Sequence, residues 1–308
     1  MSRQGLVLAG ATLLVAVTVA SCVTEVDGTA QPPANHAVAG NTDAASAPPS
    51  TGSAGTTGST GSDSERSGSQ GAAEVADPGE CVSGGDPAPI DCDEPHTVEI
   101  TASGTFGGAM AEKPPARDEV FAAVFPSCRQ EAAAYLGSDD YDLTTLSAWL
   151  LWAGEDAWAR GERWYRCGVA ELDKANEAKQ RTGSVRNALR GDGVHTYRLC
   201  SLTAPSEEPP APTPCDRPHR GEAVAVVPMG KHTDPLPSEE EFDAAAVEAC
   251  EKAVTTYLGG AREDVAAAWR WPDEVAWKRG FTNLTCYAQT EAPVTASLRG
   301  VKESPLPR

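Results

Sequence analysis

One phrase occurs twice in this 308-residue chain, and it constrains the fold more than any other feature. Cys92-Asp93-Glu94-Pro95-His96, with Glu99 three residues on, returns as Cys215-Asp216-Arg217-Pro218-His219 with Glu222. The sequence that follows repeats as well. Cys128 stands seven residues before Tyr135, as Cys250 does before Tyr257, and Trp158 stands nine before Cys167, as Trp277 does before Cys286. Each copy opens on a further cysteine, Cys81 or Cys200, and closes on Leu-Arg-Gly, at Leu189 to Gly191 and at Leu298 to Gly300. Insertions fall between these anchors, where loops absorb length. A repeat with this spacing is a duplicated module. Each unit of roughly 100 to 115 residues is large enough for one small domain.

The cysteines set the next constraint. Of nine, Cys22 stands apart at the end of an apolar run, and the other eight divide four to each copy. Even, matched sets in an exported chain point to two bridges within each module. Four cysteines permit three pairings. The pairing that closes short loops joins Cys81 to Cys92 and Cys200 to Cys215, leaving Cys128 with Cys167 and Cys250 with Cys286.

The N-terminus reads as an address. Arg3 precedes an apolar stretch from Leu6 to Ala20, and Val19-Ala20-Ser21-Cys22 carries the small residues of a lipoprotein cleavage box. The stretch is a secretory signal in length rather than a spanning helix. Removal of residues 1–21 would leave Cys22 to carry lipid and anchor the protein at the extracytoplasmic face of the cell membrane. Residues 22–76, rich in Gly, Ser, Thr, Ala and Pro, have too few large apolar side chains to offset the entropy of ordering, and read as a disordered tether. Their serines and threonines are candidate O-glycosylation sites. Module 1 then spans 77–191, module 2 spans 197–300, and 301–308 form a tail. A net charge of -19 gives no general attraction for a phosphate backbone and excludes a nucleic-acid partner.

Within a module the expectation is α+β, a small antiparallel sheet packed with helices. The clearest helix starts at Ser238, with Glu241 completing a capping box. Phe242, Ala246, Cys250, Val254 and Tyr257 then share one face, and Gly259-Gly260 ends it. Its counterpart runs from Arg117 to Leu136, with a kink or a new start expected at Pro126. Further helices are expected at Leu143 to Ala159 and Glu263 to Trp277. Strands are expected at Thr97 to Ser103, Glu222 to Val227, Arg163 to Val169 and Leu284 to Ala288. Residues Glu171 to Arg190 read as a charged helix or extended crossover that spaces the modules.

The opening Gly79-Glu80-Cys81, the Cys-x-x-Pro-His-x-x-Glu phrase, the helical cysteine and the Trp-x-x-Gly before a final cysteine resemble the septum-formation domain of actinobacterial exported proteins and lipoproteins. The resemblance covers Gly79 to Gly191 and Leu199 to Gly300. Copy two departs at its start, where Arg198-Leu199-Cys200 replaces Gly-x-Cys. The resemblance implies a role near the division septum and no particular reaction.

Candidate chemistry is sparse. A thiolate, an imidazole and a carboxylate in the repeated phrase suit Zn²⁺, but a disulfide sulfur is a poor ligand. A structural role fits better. Pro95 and Pro218 fix a turn, and His96 and His219 bond back to the backbone or to Glu99 and Glu222. Surface recognition or pH response is the other reading of this phrase. Cys92/His96 and Cys215/His219 fail as nucleophile pairs because eight paired cysteines leave no free thiol. Trp158 with Arg160, and Trp277 with Arg279, read as core rather than as a glycan- or peptide-binding ledge. Trp149, Trp152, Trp164, Trp269 and Trp271 match less well between copies and are better candidates for a partner surface. Arg190-Gly191-Asp192 is a coincidence of the repeat's ending, and the Asn283-Leu284-Thr285 sequon carries no meaning here. The sequence points to a binding or scaffolding protein without enzyme activity, cofactor or metal, partnered by the membrane through its lipid and by an envelope or division protein. An envelope sensor or regulatory ectodomain is the alternative.

Overall fold

The computed structural model describes residues 74–308 and the backbone of Thr29–Ala30. The expected signal peptide, Cys22 and the rest of 22–73 lie outside the described residues. In chain order the elements are β1 (Thr29–Ala30), β2 (Cys81–Val82), β3 (Val98–Thr105), α1 (Arg117–Leu136), β4 (Leu146–Trp152), α2 (Glu155–Ala159) and β5 (Trp164–Glu171). There follow α3 (Gly193–Thr196), β6 (Cys200–Ser201), β7 (Pro212–Thr213), β8 (His219–Pro228), α4 (Glu239–Leu258), β9 (Ala266–Arg270), α5 (Glu274–Lys278) and β10 (Asn283–Val294). Two antiparallel sheets result, with strand orders β1-β4-β5-β3-β2 and β7-β6-β8-β10-β9. β5, between β4 and β3, is equivalent to β10, between β9 and β8, as α1 is to α4. The chain is thus two tandem α+β modules.

Each long helix lies across one face of its sheet. In α4 the Ser238 oxygen accepts from the Glu241 amide, the Glu241 carboxylate returns to the Ser238 amide, and Gly259 closes the helix at φ 80°. Phe242, Ala246, Cys250, Val254 and Leu258 are its buried side chains. α1 runs continuously from Arg117 to Leu136 through Pro126, which is buried within it, so no second helix starts there. The disulfides are Cys81–Cys92, Cys128–Cys167, Cys200–Cys215 and Cys250–Cys286. One bridge in each module pins the long helix to a strand, α1 to β5 and α4 to β10, closing separations of 39 and 36 residues. Each of those constrains the unfolded chain by about 4 kcal/mol in the chain-entropy account.

The helices expected at Leu143 to Ala159 and Glu263 to Trp277 are instead a strand followed by one helical turn: β4 then α2, and β9 then α5. The reason lies in two-sided burial. Along β4, Leu146, Ala148 and Leu150 join the core under α1, while Trp149 and Leu151 join a second cluster on the outer face with Ala76, Val82, Val98, Ile100 and Ala170. A strand apolar on both faces loses its alternation and reads as a continuous run.

The segment Glu171 to Arg190 is neither a charged helix nor a spacer. It folds back into module 1, with Leu172 bridging Ala178 and Arg181 bridging His96. At the start of module 1 the Ala76 amide bonds to the Pro87 carbonyl, and Arg166 bonds to the Ala76 carbonyl. Within the expected tether, Thr29–Ala30 adds as β1 to the edge of β4. Pro32 and Pro33, which lack an amide hydrogen, follow it. Residues 301–308 pack onto module 2, where Thr295 bonds to the Pro307 carbonyl and Arg262 to the Lys302 and Ser304 carbonyls.

The modules are fused. The turn after α5 lays Arg279-Gly280-Phe281 on α1. Arg129 of α1 donates Nη2 to both carboxylate oxygens of Asp142 at 2.9 and 2.7 Å, and Nε to the Gly280 carbonyl at 2.9 Å. Its guanidinium lies 3.9 Å from the centre of the Phe281 ring. Asn283 also reaches Asp142, Arg279 reaches Asp118, and Phe281 packs on Phe125. A second seam joins Leu143, Leu199, Ala223, Ala268 and Tyr287. Among the described residues no helix is long and apolar enough to cross a membrane.

Candidate functional site

The repeated phrase builds one buried polar centre per module. In module 2, Pro218 fixes the turn into β8, and the turn puts His219 and Glu222 inside, with exposures of 1% and 0%. His219 Nδ1 lies 2.7 Å from the Arg217 carbonyl, and Nε2 lies 2.9 Å from Glu222 Oε1. A carbonyl only accepts, so Nδ1 carries hydrogen. Glu222 accepts further hydrogen bonds from the Leu298 amide on Oε1 at 2.7 Å, and from Tyr257 and Ser297 on Oε2 at 2.6 and 3.1 Å. Four donors, His219 Nε2 among them, surround the one carboxylate and fill its lone pairs. The pair is therefore a buried histidine–glutamate hydrogen bond. Burial works to lower the His219 pKa, but the bonds to Glu222 and to the Arg217 carbonyl outweigh it, and the net shift is upward. Burial beside Glu222 pushes the Tyr257 hydroxyl pKa up.

Module 1 repeats the frame with one change. His96 Nδ1 donates to the Glu94 carbonyl at 2.9 Å, and Glu99 accepts from Tyr135, Ser184 and the Val185 amide. The strand partner of His96 is Arg181, whereas the partner of His219 is Val294. Arg181 sets Nη1 3.4 Å from His96 Nε2 and 4.0 Å from Glu99. An arginine only donates, so His96 Nε2 presents its lone pair and the histidine–glutamate bond of module 2 is absent. Arginine in one copy and valine in the other thus decide whether the histidine pairs with the glutamate directly.

These contacts also correct the register of the repeat's end. Ser184-Val185-Arg186-Asn187 occupies the place of Ser297-Leu298-Arg299-Gly300. The Asn187 and Gly300 amides both bond the carbonyl of their module's tyrosine, Tyr135 or Tyr257, at 2.8 Å. The two Leu-Arg-Gly strings are not equivalent. The irregular opening of copy two has a physical account as well. In module 1 the Arg186 guanidinium lies 4.5 Å from the Tyr135 ring centre, in space that a Cβ on Gly79 would reach. In module 2, Arg198 at the position of Gly79 supplies the guanidinium itself, 4.8 Å from the Tyr257 ring centre.

The other candidates divide. Pro95 and Pro218 are exposed at their turns, and Trp158 and Trp277 are core residues. Trp277 donates to the Asp234 carbonyl. Arg279 belongs to the seam between modules, while Arg160 lies at the surface and pairs with Glu162. Of the remaining tryptophans, Trp149 is buried, whereas Trp152, Trp164, Trp269 and Trp271 are half-buried, with Trp271 stacked on Phe242. Missing from the sequence reading were Tyr135, Tyr257, Ser184, Ser297, Arg181 and Arg198 as members of the centres. The repeated Ser-(Val/Leu)-Arg string was the available signal for the serines.

Cys200, His219 and Glu222 place one potential ligand atom each within 4.8 Å of one another. As folded they do not suit a metal, because the Cys200 sulfur is bonded to Cys215, both histidine nitrogens carry hydrogen, and both carboxylate oxygens are filled. What the arrangement does chemically is bind strand, helix and C-terminal segment of a module through one carboxylate.

The septum-formation family model matches residues 51–150 and 141–286. Two uncharacterized membrane proteins of Mycobacterium tuberculosis, from strains CDC 1551 and H37Rv, are each 25% identical to this chain over 194 residues. The aligned region is 58% of this chain and 43% of theirs, so the chain matches less than half the length of these relatives. No solved structure matches.

Proposed function

Because this chain belongs to the septum-formation family and carries its domain twice, we propose that it is a lipid-anchored binding and scaffolding protein of the cell envelope that works in septum formation. The observation that carries the reading is where the polar residues go. The histidine, glutamate, tyrosine and serine of each repeat are spent on building the module, and the Arg279-Gly280-Phe281 turn on joining the two. Function then falls to the outer surface of one rigid body. Two modules held at fixed spacing present two surfaces without the entropy cost of a loose linker.

Anchoring rests on Cys22, which ends an apolar stretch in a small-residue setting. The mycobacterial relatives carry the name membrane protein, which agrees with an envelope location. The test is live-cell imaging of a functional tagged copy through division, alongside Cys22→Ala. Enrichment at the constriction, lost in the variant, is the expected result. Uniform membrane signal with normal septa after depletion refutes the division role. Unchanged membrane retention of Cys22→Ala refutes the lipid anchor.

A further inference from the structure

The two polar centres differ in a way that the structural role does not require. Among the described residues, one group of metal-capable side chains converges, and it is Cys200, His219 and Glu222 of module 2. All three are buried, and their ligand atoms lie within 4.8 Å of one another. A sulfur, an imidazole nitrogen and a carboxylate oxygen at this spacing form a borderline-soft set suited to Zn²⁺. Module 1 has the same residue types at Cys81, His96 and Glu99, but there Arg181 stands at the histidine and fills the space with a cation. Val294 takes that position in module 2 and leaves it uncharged. As folded, the Cys200–Cys215 disulfide takes the sulfur, and the hydrogen bonds of His219 Nε2 and of the Glu222 carboxylate occupy the other two ligand atoms.

We propose that module 2 holds a latent Zn²⁺-type site, made of Cys200, His219 and Glu222, that opens when the Cys200–Cys215 disulfide is reduced. Cys200 is fully buried, but Cys215 is half-buried on the Pro-His turn, between exposed Asp216 and Arg217. An external dithiol therefore attacks the Cys215 sulfur. That attack breaks the bond to Cys200, forms a mixed disulfide on Cys215 and releases Cys200 as a thiol. The second thiol of the reagent then displaces Cys215. Two electrons and two protons pass to the protein, and the dithiol becomes a disulfide. Binding of the cation displaces the Cys200 proton and the Nε2 proton of His219 to solvent. The fourth position falls to the freed Cys215 sulfur or to water.

The duplicated module supplies its own control. Cys215→Ser frees Cys200, and Cys92→Ser frees Cys81 in module 1. Both are titrated as the complete exported chain with Co²⁺ alone, then with Zn²⁺ as competitor, with circular dichroism to monitor folding. Cys215→Ser is expected to bind one Co²⁺ with a thiolate charge-transfer band, at least tenfold tighter than the oxidised wild type, and to lose it to Zn²⁺. Adding Val294→Arg is expected to abolish the band. A folded Cys215→Ser protein with no thiolate–Co²⁺ band overturns the proposal, and so does equal uptake by Cys92→Ser. If Cys215→Ser does not fold, wild type is reduced with limiting dithiol and its thiols are mapped by alkylation. Release of Cys200 and Cys215 together with the same band supports the site. Release of another pair first, or no band, overturns it.

Discussion

Replacing Arg129 by alanine tests whether the two modules are one body. The side chain donates to both oxygens of Asp142 and to the Gly280 carbonyl, and covers the Phe281 ring at 3.9 Å. Arg129 and Asp142 are both largely buried, at side-chain exposures of 8% and 12%. Truncation removes the module 1 partner of Asp142 and leaves it with the Asn283 donor from module 2, strips the Gly280 carbonyl of its Arg129 donor and uncovers the ring. Breaking a buried charge pair from one side costs about 3–5 kcal/mol, mostly through the charge left behind. The charge pair itself lies inside module 1, whereas the bond to the Gly280 carbonyl and the cover of the Phe281 ring are lost between the modules, so the cost falls on module 1 and on the seam together. Urea unfolding followed by tryptophan fluorescence and far-UV circular dichroism should therefore show a loss of about 3–5 kcal/mol, and one transition separating into two. Arg160→Ala, at the matching position to Arg279 but with its side chain 55% exposed, should change stability by less than about 0.5 kcal/mol. A single unsplit transition in Arg129→Ala, displaced by less than about 1 kcal/mol, would refute the fused-body reasoning.

Gly161 and Gly280 share a φ of 90°, but a Cβ on Gly280 would sit 3.1 Å from the Pro126 Cα, whereas one on Gly161 meets open space. Gly161→Ala should cost only the backbone strain of about 1–2 kcal/mol, and Gly280→Ala clearly more, as read by urea midpoints at equal m. Glu222→Gln replaces an acceptor of four hydrogen bonds by an amide that cannot accept them all and leaves His219 without its counter-charge, so a loss of at least about 3 kcal/mol is expected by denaturation. Because the His219 pKa is raised in the folded state, its contribution is fully present below the unfolded pKa of about 6.5 and is lost as pH rises through the folded value. The stability gap between wild type and His219→Gln should therefore narrow as pH rises above about 6.5, and a gap that widens across that range would reverse the sign of the argument.

The sequence alone determined the duplication, the four matched cysteines per module, the capped helix Glu239–Leu258 and the Pro-His turn. These are legible because each is written in short-range spacing: a cap three residues from its partner, an apolar face recurring every three or four, a proline fixing its own φ. It also marked His219 and Glu222 as partners, since they stand three residues apart in one phrase. Tertiary structure decided the rest. Leu146–Trp152 is a strand because both of its faces find apolar cover, and cover is not a property of the strand's own sequence. The register of the repeat's end, at Ser184 and Ser297, follows from which segment reaches the buried glutamate, and a chance Leu-Arg-Gly concealed it. Arg181 meets His96 across 85 residues, so no local pattern could show that this position separates the two centres. The same holds for Arg129 and Gly280, 151 residues apart, which turn two repeats into one body. A side chain's type is fixed by sequence, but the partner of a buried charge is fixed by which distant segment closes over it.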